Sequence, residues 1–255
     1  MTVGTEVGFT THQIHVGATT TTASPRTTPI YLTAGFTFDD LEQSAAHFGT
    51  GSGFGYSRTG NPTVHAVEER LASLEGGDQA VLVSSGQAAV VVALLALAGA
   101  GDHIVVSEHI YEGTRGLLLD NFARLGITTT FVDTSDLDAW RGALTPRTRA
   151  LFAETLSNAR NDVLDIAAVA AIGAEVGIPL VVDSTFTTPY LLRPLEHGAA
   201  VVVHSASKFL AGQGAVLGGV IVDDGRFDAA ASGHRFPHLV QTDRLGGASY
   251  AEKHG

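Results

Sequence analysis

Residues 179–208 read PLVVDSTFTTPYLLRPLEHGAAVVVHSASK, and this stretch decides the fold. It contains two short, largely apolar runs, 180–183 and 201–204, and polar residues follow each of them. Continuous apolar runs of this length are typical of strands that are buried on both faces of a sheet. The stretch therefore predicts two strands, consecutive in the chain, of a sheet with both faces covered.

The same pattern continues in both directions from this stretch. Strands are predicted at 80–84, 104–107, 128–132, 150–153, 180–183, 201–204 and 219–222. Helices are predicted at 61–75, 86–98, 111–125, 137–144 and 166–176. Asn61 and Asp165 are placed to cap the first and last of these helices. Short strands that alternate with helices predict an α/β fold, in which a mostly parallel seven-stranded sheet carries helices on both faces.

Residues 1–60 differ from the rest, because they are rich in Thr, Gly and Ser and show no sustained apolar period. We interpret them as an extended, partly flexible N-terminal arm that contacts a neighbouring subunit, with the α/β domain occupying 61–255. A disordered tail is the alternative. It suits residues 1–12 better than 29–38, where Phe36 and Phe38 are apolar anchors.

Composition excludes several classes of function. The 255 residues include 15 Lys and Arg against 26 Asp and Glu, which gives a formal net charge of −11. A chain this acidic lacks the electrostatic footprint of a protein that binds nucleic acid or an anionic membrane. It has no cysteine, so disulfides, thiolate metal sites and a cysteine nucleophile are excluded. The longest apolar run, 88–98, is too short to span a bilayer, no signal peptide is visible, and we expect a cytoplasmic protein.

Candidate functional residues follow three of the predicted strands, at the end where open α/β sheets bind ligands. Ser84, Ser85, Gly86 and Gln87 open a helix. Free N–H groups and the helix dipole suit a phosphate at such a place, although this sequence is also an ordinary helix cap. The scattered histidines form no array typical of a metal site, and we expect none.

Asp183 and Lys208 follow the other two strands. Asp183 could cap the next segment, or it could face a protonated heterocycle nitrogen or a metal. Most lysines are solvated surface groups, but Lys208 directly follows a buried strand and stands next to the hydroxyls of Ser205 and Ser207. An anion cradle, a carboxylate and a lysine on one sheet edge are what pyridoxal phosphate (PLP) requires of a protein.

These motifs resemble those of the Cys/Met-metabolism group of fold-type I PLP-dependent enzymes. The group includes cystathionine γ-synthase, cystathionine γ-lyase, methionine γ-lyase and O-acetylhomoserine sulfhydrylase. The resemblance extends over nearly the whole chain and implies a fold-type I PLP-dependent transferase. It rests on the segments 56–63, 84–89, 111–114, 154–158, 182–186 and 204–208, taken in this order.

The resemblance implies two sets of contacts to the cofactor phosphate. Within one subunit the phosphate loop matches Ser85, Gly86 and Gln87. The two hydroxyl residues of the lysine motif, Ser205 and Ser207, are implied to bind the same group.

The second set comes from a neighbouring subunit, through the motif that matches Tyr56 and Arg58. Active sites that share residues in this way imply a homo-oligomer, either a dimer or a tetramer.

The resemblance also assigns residues around the cofactor ring. Lys208 is implied to form the Schiff base and to shuttle protons, and Asp183 is implied to keep the ring nitrogen protonated. Tyr111 is implied to stack on the ring and to assist acid–base transfer. Glu154 and Asn158 match a strand-end motif whose Asn contacts the ring hydroxyl.

Some details favour the sulfhydrylase branch of this group. Gln87 stands where the synthases and lyases more often have Met, and the segments 212–228 and 236–237 are similar to those of O-acetylhomoserine sulfhydrylase. This branch implies γ-replacement on O-acetylhomoserine with sulfide or a thiol. The alternatives are cystathionine γ-synthase, O-succinylhomoserine sulfhydrylase or methionine γ-lyase chemistry.

The chain departs from the family pattern at Glu112, Ala159 and Ser184, none of which removes a contact named above. It also ends before the family's C-terminal domain, which normally supplies an arginine for the substrate carboxylate. A catalytically incomplete PLP-binding fragment is therefore the second hypothesis.

Overall fold

The computed structural model describes residues 8–18, 25–50, 53–232 and 234–241. The chain divides into two compact units, residues 1–74 and 75–255. The helix predicted at 61–75 therefore falls almost entirely in the first unit, whereas the predicted boundary at residue 60 had assigned it to the α/β domain.

The described residues of the N-terminal part form three helices: α1 (Phe9–His15), α2 (Leu41–Thr50) and α3 (Pro62–Glu75). The cap predicted for α3 is present, because the Asn61 side chain accepts a hydrogen bond from the N–H of Thr63. The sequence analysis did not predict α1 or α2, so the segment interpreted as an extended arm is partly helical.

Two hydrogen bonds at the start of α2 involve residues that could have predicted this helix from the sequence. The Asp40 carboxylate accepts from the N–H of Gln43, and the Gln43 side chain accepts from the N–H of Asp39. This arrangement is a variant of the capping box, in which the Gln three residues after the acidic cap reaches the N–H of Asp39 instead of the N–H of the cap residue Asp40. The surrounding Thr and Gly residues obscured this signal.

The unit 75–255 contains one seven-stranded sheet with the order β1-β7-β6-β5-β4-β2-β3. Its strands are β1 (Gln79–Val83), β2 (His103–Ser107), β3 (Thr128–Val132), β4 (Thr148–Glu154), β5 (Leu180–Asp183), β6 (Val201–Ser205) and β7 (Gly219–Asp223). β7 pairs antiparallel with β1 and β6, and the other pairs are parallel. The predicted mostly parallel sheet is confirmed, and each strand begins and ends within two residues of its predicted bounds.

The described residues of this unit form six labelled helices, a π-helix (Leu117–Phe122) and a 3-10 helix (Pro194–His197). The labelled ones are α4 (Gly86–Leu97), α5 (Glu112–Gly116), α6 (Leu137–Gly142), α7 (Ile166–Val176), α8 (Thr188–Leu191) and α9 (Pro237–Val240). Asp165 caps α7 as predicted, since its side chain accepts from the N–H of Ala168. All five residues of β2 are buried, so both faces of the sheet are covered at this strand.

One buried polar pair lies directly before the segment that carries Lys208. The Nε2 atom of His204, in β6, lies 2.5 Å from Oε1 of Glu75, and each side chain is only 1% exposed. Polar groups so far from water are expensive unless they are paired. The pair therefore fixes the end of β6 against Glu75. Within the described ranges, every helix is too short or too polar to cross a lipid bilayer.

Replacing Glu75 by Ala is expected to lower the free energy of unfolding by about 2–5 kcal/mol, because His204 loses its buried partner. The measurement is urea unfolding followed by the fluorescence of Trp140, the single tryptophan. Glu69→Ala is the matched control, since Glu69 forms a similar pair with His65 at half-exposed positions. That variant should change stability by less than about 1 kcal/mol. Equal losses of stability in the two variants would contradict the claim that the buried pair of Glu75 and His204 stabilises the fold.

Candidate functional site

A cavity of about 370 Å³ lies at the carboxyl edge of the parallel strands. Every residue of this unit that the resemblance assigned to the cofactor lines it, whereas Ser84 does not. The assigned residues are Ser85, Gly86, Gln87, Tyr111, Glu154, Asn158, Asp183, Ser205, Ser207 and Lys208. Four further lining residues were not predicted: Leu156, Thr185, Phe186 and Leu217.

The N-terminus of α4 provides the anion cradle. Ser85 caps the helix by accepting from the N–H of Ala88. Among the described residues, no hydrogen bond engages the N–H groups of Gly86 and Gln87, which are the first two of the helix. Unpaired N–H groups at the positive end of a helix are suited to a phosphate.

Two glycines allow this cradle to approach the end of β6. A Cβ atom on Gly86 would lie 2.6 Å from Cβ of Ser205, and one on Gly219 would lie 2.0 Å from the Ser85 carbonyl oxygen. Any larger residue would therefore displace backbone at both places. The role of Gly219 was missed, although a glycine in a predicted strand is a known sign of close backbone approach.

Asp183 ends β5, and Thr185 orients its carboxylate. The Thr185 hydroxyl and N–H both donate to Oδ1 of Asp183, at 2.5 and 3.0 Å. The same hydroxyl oxygen accepts from the N–H of Ser205 at 2.8 Å. Burial raises the pKa of the Asp183 carboxyl, against the bonds from Thr185, which favour the charged form. The carboxylate is therefore placed where a neighbouring cation would stabilise it.

Tyr111 is held in place by a backbone hydrogen bond and by the close contact of its ring with Gly113. Its N–H donates to Oε1 of Glu154 at 2.6 Å, and its ring covers Gly113, where a Cβ atom would lie 2.4 Å from Cε1 of the tyrosine. Gln87 contacts α5, the helix that follows Tyr111, because its side-chain amide donates to the hydroxyl of Thr114 at 2.8 Å. Two separate hydrogen bonds thus hold the backbone of Tyr111 to the end of β4 and the start of α4 to α5.

Glu154 ends β4 and lies in register with Asp183 on the neighbouring strand. Its second oxygen accepts from the N–H of Asn158 at 2.9 Å. Burial, and to a lesser extent the charge of Asp183, raises the pKa of Glu154 to about 7, although the two N–H bonds oppose the shift. The carboxyl therefore titrates close to neutral pH.

Lys208 follows β6 and lines the cavity, with its backbone N–H donating to the Ser205 carbonyl. It is the only lysine among the described residues. The hydroxyl of Ser207 accepts from the N–H of Gly218 at 3.0 Å. Nowhere in the described ranges do three His, Asp or Glu side chains gather as metal ligands would.

The other two predicted site residues belong to the unit 1–74. Tyr56 is 45% exposed, and the guanidinium carbon of Arg58 lies 5.1 Å from the centroid of its ring. The structure therefore brings these two side chains together within their own unit. Their assignment to a cofactor of another subunit stays a prediction.

Comparison with known sequences settles the family. The profile of the Cys/Met metabolism PLP-dependent enzymes matches residues 10–247. The chain belongs to this family. The resemblance inferred from the ordered motifs is thereby confirmed.

Curated members of the Cys/Met metabolism family lie close in sequence. An O-acetyl-L-homoserine sulfhydrylase of Corynebacterium glutamicum is 46% identical over 252 residues, which is 96% of this chain and 58% of that protein. An O-acetyl-L-homoserine sulfhydrylase of Leptospira meyeri is 47% identical over 209 residues, 81% of this chain and 47% of that protein. The chain spans about half the length of these curated relatives.

A solved structure of the same kind shares the fold. The O-acetylhomoserine (thiol)-lyase of Campylobacter jejuni superposes with a TM-score of 0.91 at 33% identity. The match covers 96% of this chain and 61% of that one, whose crystal contains a pyridoxyl-lysine monophosphate residue. This likeness confirms the predicted fold class.

The raised pKa of Glu154 predicts a pH dependence of stability. In cofactor-free protein the unfolded chain releases this proton near 4.5 and the native chain near 7, so the native state binds more protons in between. The contribution of Glu154 to the free energy of unfolding is therefore present below about pH 4.5 and lost by about pH 7. The decrease is about 3 kcal/mol.

The measurement is urea unfolding of cofactor-free protein at about pH 5 and about pH 8, with wild type and Glu154→Gln compared. The variant should lose less stability than wild type as the pH rises. Glu112→Gln, at the exposed position next to Tyr111, should follow the wild-type dependence. An identical dependence in Glu154→Gln and wild type would show that Glu154 does not titrate in this range.

Proposed function

We propose that this chain binds pyridoxal 5′-phosphate and carries out γ-replacement on O-acetylhomoserine with sulfide or a thiol, to give homocysteine or a related thioether. The observation that carries the proposal is one cavity lined by Lys208, Asp183 and the N-terminus of α4. The sulfhydrylase names of the relatives support the choice of substrate.

The residues of the cavity suit the three polar groups of the cofactor. The free N–H groups of Gly86 and Gln87, together with the nearby Ser205 hydroxyl, would bind the phosphate. The charged Asp183 carboxylate would pair with the protonated ring nitrogen. The amine of Lys208 would link to the aldehyde.

The charge of Asp183 fits a cationic ring in particular. Burial makes its charged form costly, as the raised pKa records. A protonated nitrogen beside it would offset that cost and would itself remain protonated. The two bonds from Thr185 hold the accepting oxygen in place for this contact.

Once bound, PLP supplies an electron sink for negative charge at the substrate Cα. The chain would supply the proton transfers. The Lys208 amine would accept the protons from Cα and Cβ and return them. The Tyr111 phenol, whose ring covers Gly113, would donate to the oxygen of the departing acetoxy group.

Tyr56 and Arg58 support a homo-oligomer with shared sites, as a dimer or tetramer. An exposed tyrosine and arginine that stack on each other present a planar cation, which suits the phosphate of a neighbouring subunit. We place such an enzyme in the cytoplasm, where amino acids are synthesised. Sedimentation should give at least a dimer for cofactor-loaded protein, and a loaded monomer would contradict the shared site.

Lys208→Ala tests the proposed cofactor role. The sequence contains two lysines, Lys208 and Lys253, so Lys253→Ala is the matched control. Wild type and Lys253→Ala should both show the visible absorption band of lysine-bound PLP, whereas Lys208→Ala should show only the spectrum of free or non-covalently bound cofactor.

Adding O-acetylhomoserine and then sulfide to the wild-type sample extends this test. A shift of the band followed by formation of homocysteine, with release of acetate, supports γ-replacement. A band that never responds to the amino acid supports the second candidate, a PLP-binding chain without turnover. No band in wild type, even with excess PLP, would contradict the cofactor assignment itself.

A further inference from the structure

The Glu154 carboxylate joins two loops that surround the cavity. Oε1 accepts from the N–H of Tyr111, in the loop after β2, and Oε2 accepts from the N–H of Asn158, in the loop after β4. Glu154 itself is 6% exposed. Hydrogen bonds to a charged acceptor in such a place are stronger than neutral or solvated ones.

The same two loops also contact each other at the rim of the site. Nη1 of Arg160 lies 2.9 Å from Nε2 of His109, and His109 lies 3.7 Å from the Asp162 carboxylate. The Arg160 side chain is 63% exposed. Pairs in water contribute little to stability, so the buried carboxylate is the stronger connection between the loops.

The chemistry of the side chain explains why a carboxylate occupies this place. A carboxyl group has two oxygens that can each accept a hydrogen bond, so it can serve two separate N–H groups. The amide of Gln offers one acceptor, and its NH₂ group would face the second N–H. Among the described residues, no cation forms an ion pair with this buried carboxylate, which would otherwise be costly, so its two N–H bonds account for its presence.

We propose that Glu154 is a positioning residue, whose carboxylate ties the two loops together and thereby sets Tyr111 against Asn158 across the cofactor ring. The proposal rests on the proposed function, because these two residues flank a cofactor only if PLP binds here. It revises the expectation that Glu154 itself binds the cofactor: Glu154 acts through the backbone of its two neighbours.

The first experiment measures amide hydrogen exchange at Tyr111 and Asn158 by NMR, in cofactor-free protein. Both amides should be protected in wild type. In Glu154→Gln, exchange should accelerate by about 10–100-fold at one or both of them, as expected for losing a bond to a charged acceptor. The matched control, Arg160→Gln, removes the contact of Arg160 with His109 between the same loops and should leave both amides protected.

The second experiment measures the affinity of the same proteins for PLP and for inorganic phosphate. Glu154→Gln should bind PLP about tenfold more weakly, because the residues flanking the ring are no longer fixed. Phosphate alone should bind with unchanged affinity, since the start of α4 does not depend on Glu154. A residue that merely stabilised the fold would weaken both ligands together.

Each outcome decides the matter. If the two amides exchange in wild type as fast as solvent-exposed amides, Glu154 does not hold the loops together, whether or not PLP binds. Accelerated exchange with unchanged PLP affinity would overturn the positioning role. Protected amides in a wild type that binds no PLP would overturn the proposed function and leave only a structural contact. If Glu154→Gln does not fold, Glu154→Asp keeps the charge but lacks the reach, and acceleration at one amide supports the proposal.

Discussion

The close approach of two strand ends is the constraint on which the site depends. Gly219 pairs with both Val83 and Ser205, so the first residue of β7 joins the end of β1 to the end of β6. Because β7 runs against its neighbours, it enters the sheet at the edge where they leave it. The absence of a side chain at Gly219 and Gly86 lets Ser85 and Ser205 come together. The helix N-terminus and the lysine segment therefore share one cavity, although more than a hundred residues separate them in the chain.

The charges of the cavity follow from strand pairing. Asp183 and Glu154 are paired positions of parallel neighbours, so two carboxylates end adjacent strands and burial raises the pKa of both. The structure treats them differently. Both oxygens of Glu154 accept hydrogen bonds from backbone N–H groups of the loops. In Asp183, Thr185 donates to one oxygen, Oδ1. Such an asymmetric pair favours one carboxylate as a structural acceptor and the other as the partner of a ligand cation.

The sequence predicted the parts of the fold that depend on local pattern. β3, β5 and α7 have the predicted bounds. β5 and α7 are largely apolar runs that end at Asp183 and before Gly177, and the β-branched residues of β3 favour a strand. The helix predicted at 111–125 forms instead as α5 followed by the π-helix Leu117–Phe122, since the spacing of apolar residues does not record one extra residue per turn. The helix α2 was predictable from its variant of the capping box.

At the site, too, features carried by one stretch of sequence were predictable, whereas contacts between distant residues were not. Lys208 and Asp183 were predictable because their chemistry is carried by the side chain and their place by a strand end. The backbone-directed role of Glu154 was not, because its bond to Tyr111 joins residues 43 positions apart, and only the folded chain brings them together. Thr185 was missed for the same reason, since its hydroxyl bridges Asp183 to the N–H of Ser205.

The central claim is that Lys208 carries the cofactor, and one measurement tests it most directly. The purified protein is incubated with PLP, reduced with borohydride, digested and mapped by mass spectrometry. The account predicts a phosphopyridoxyl group on Lys208, an assignment that two lysines in the sequence make unambiguous. A label confined to Lys253 or to the N-terminal amine, or no label at all, would contradict it.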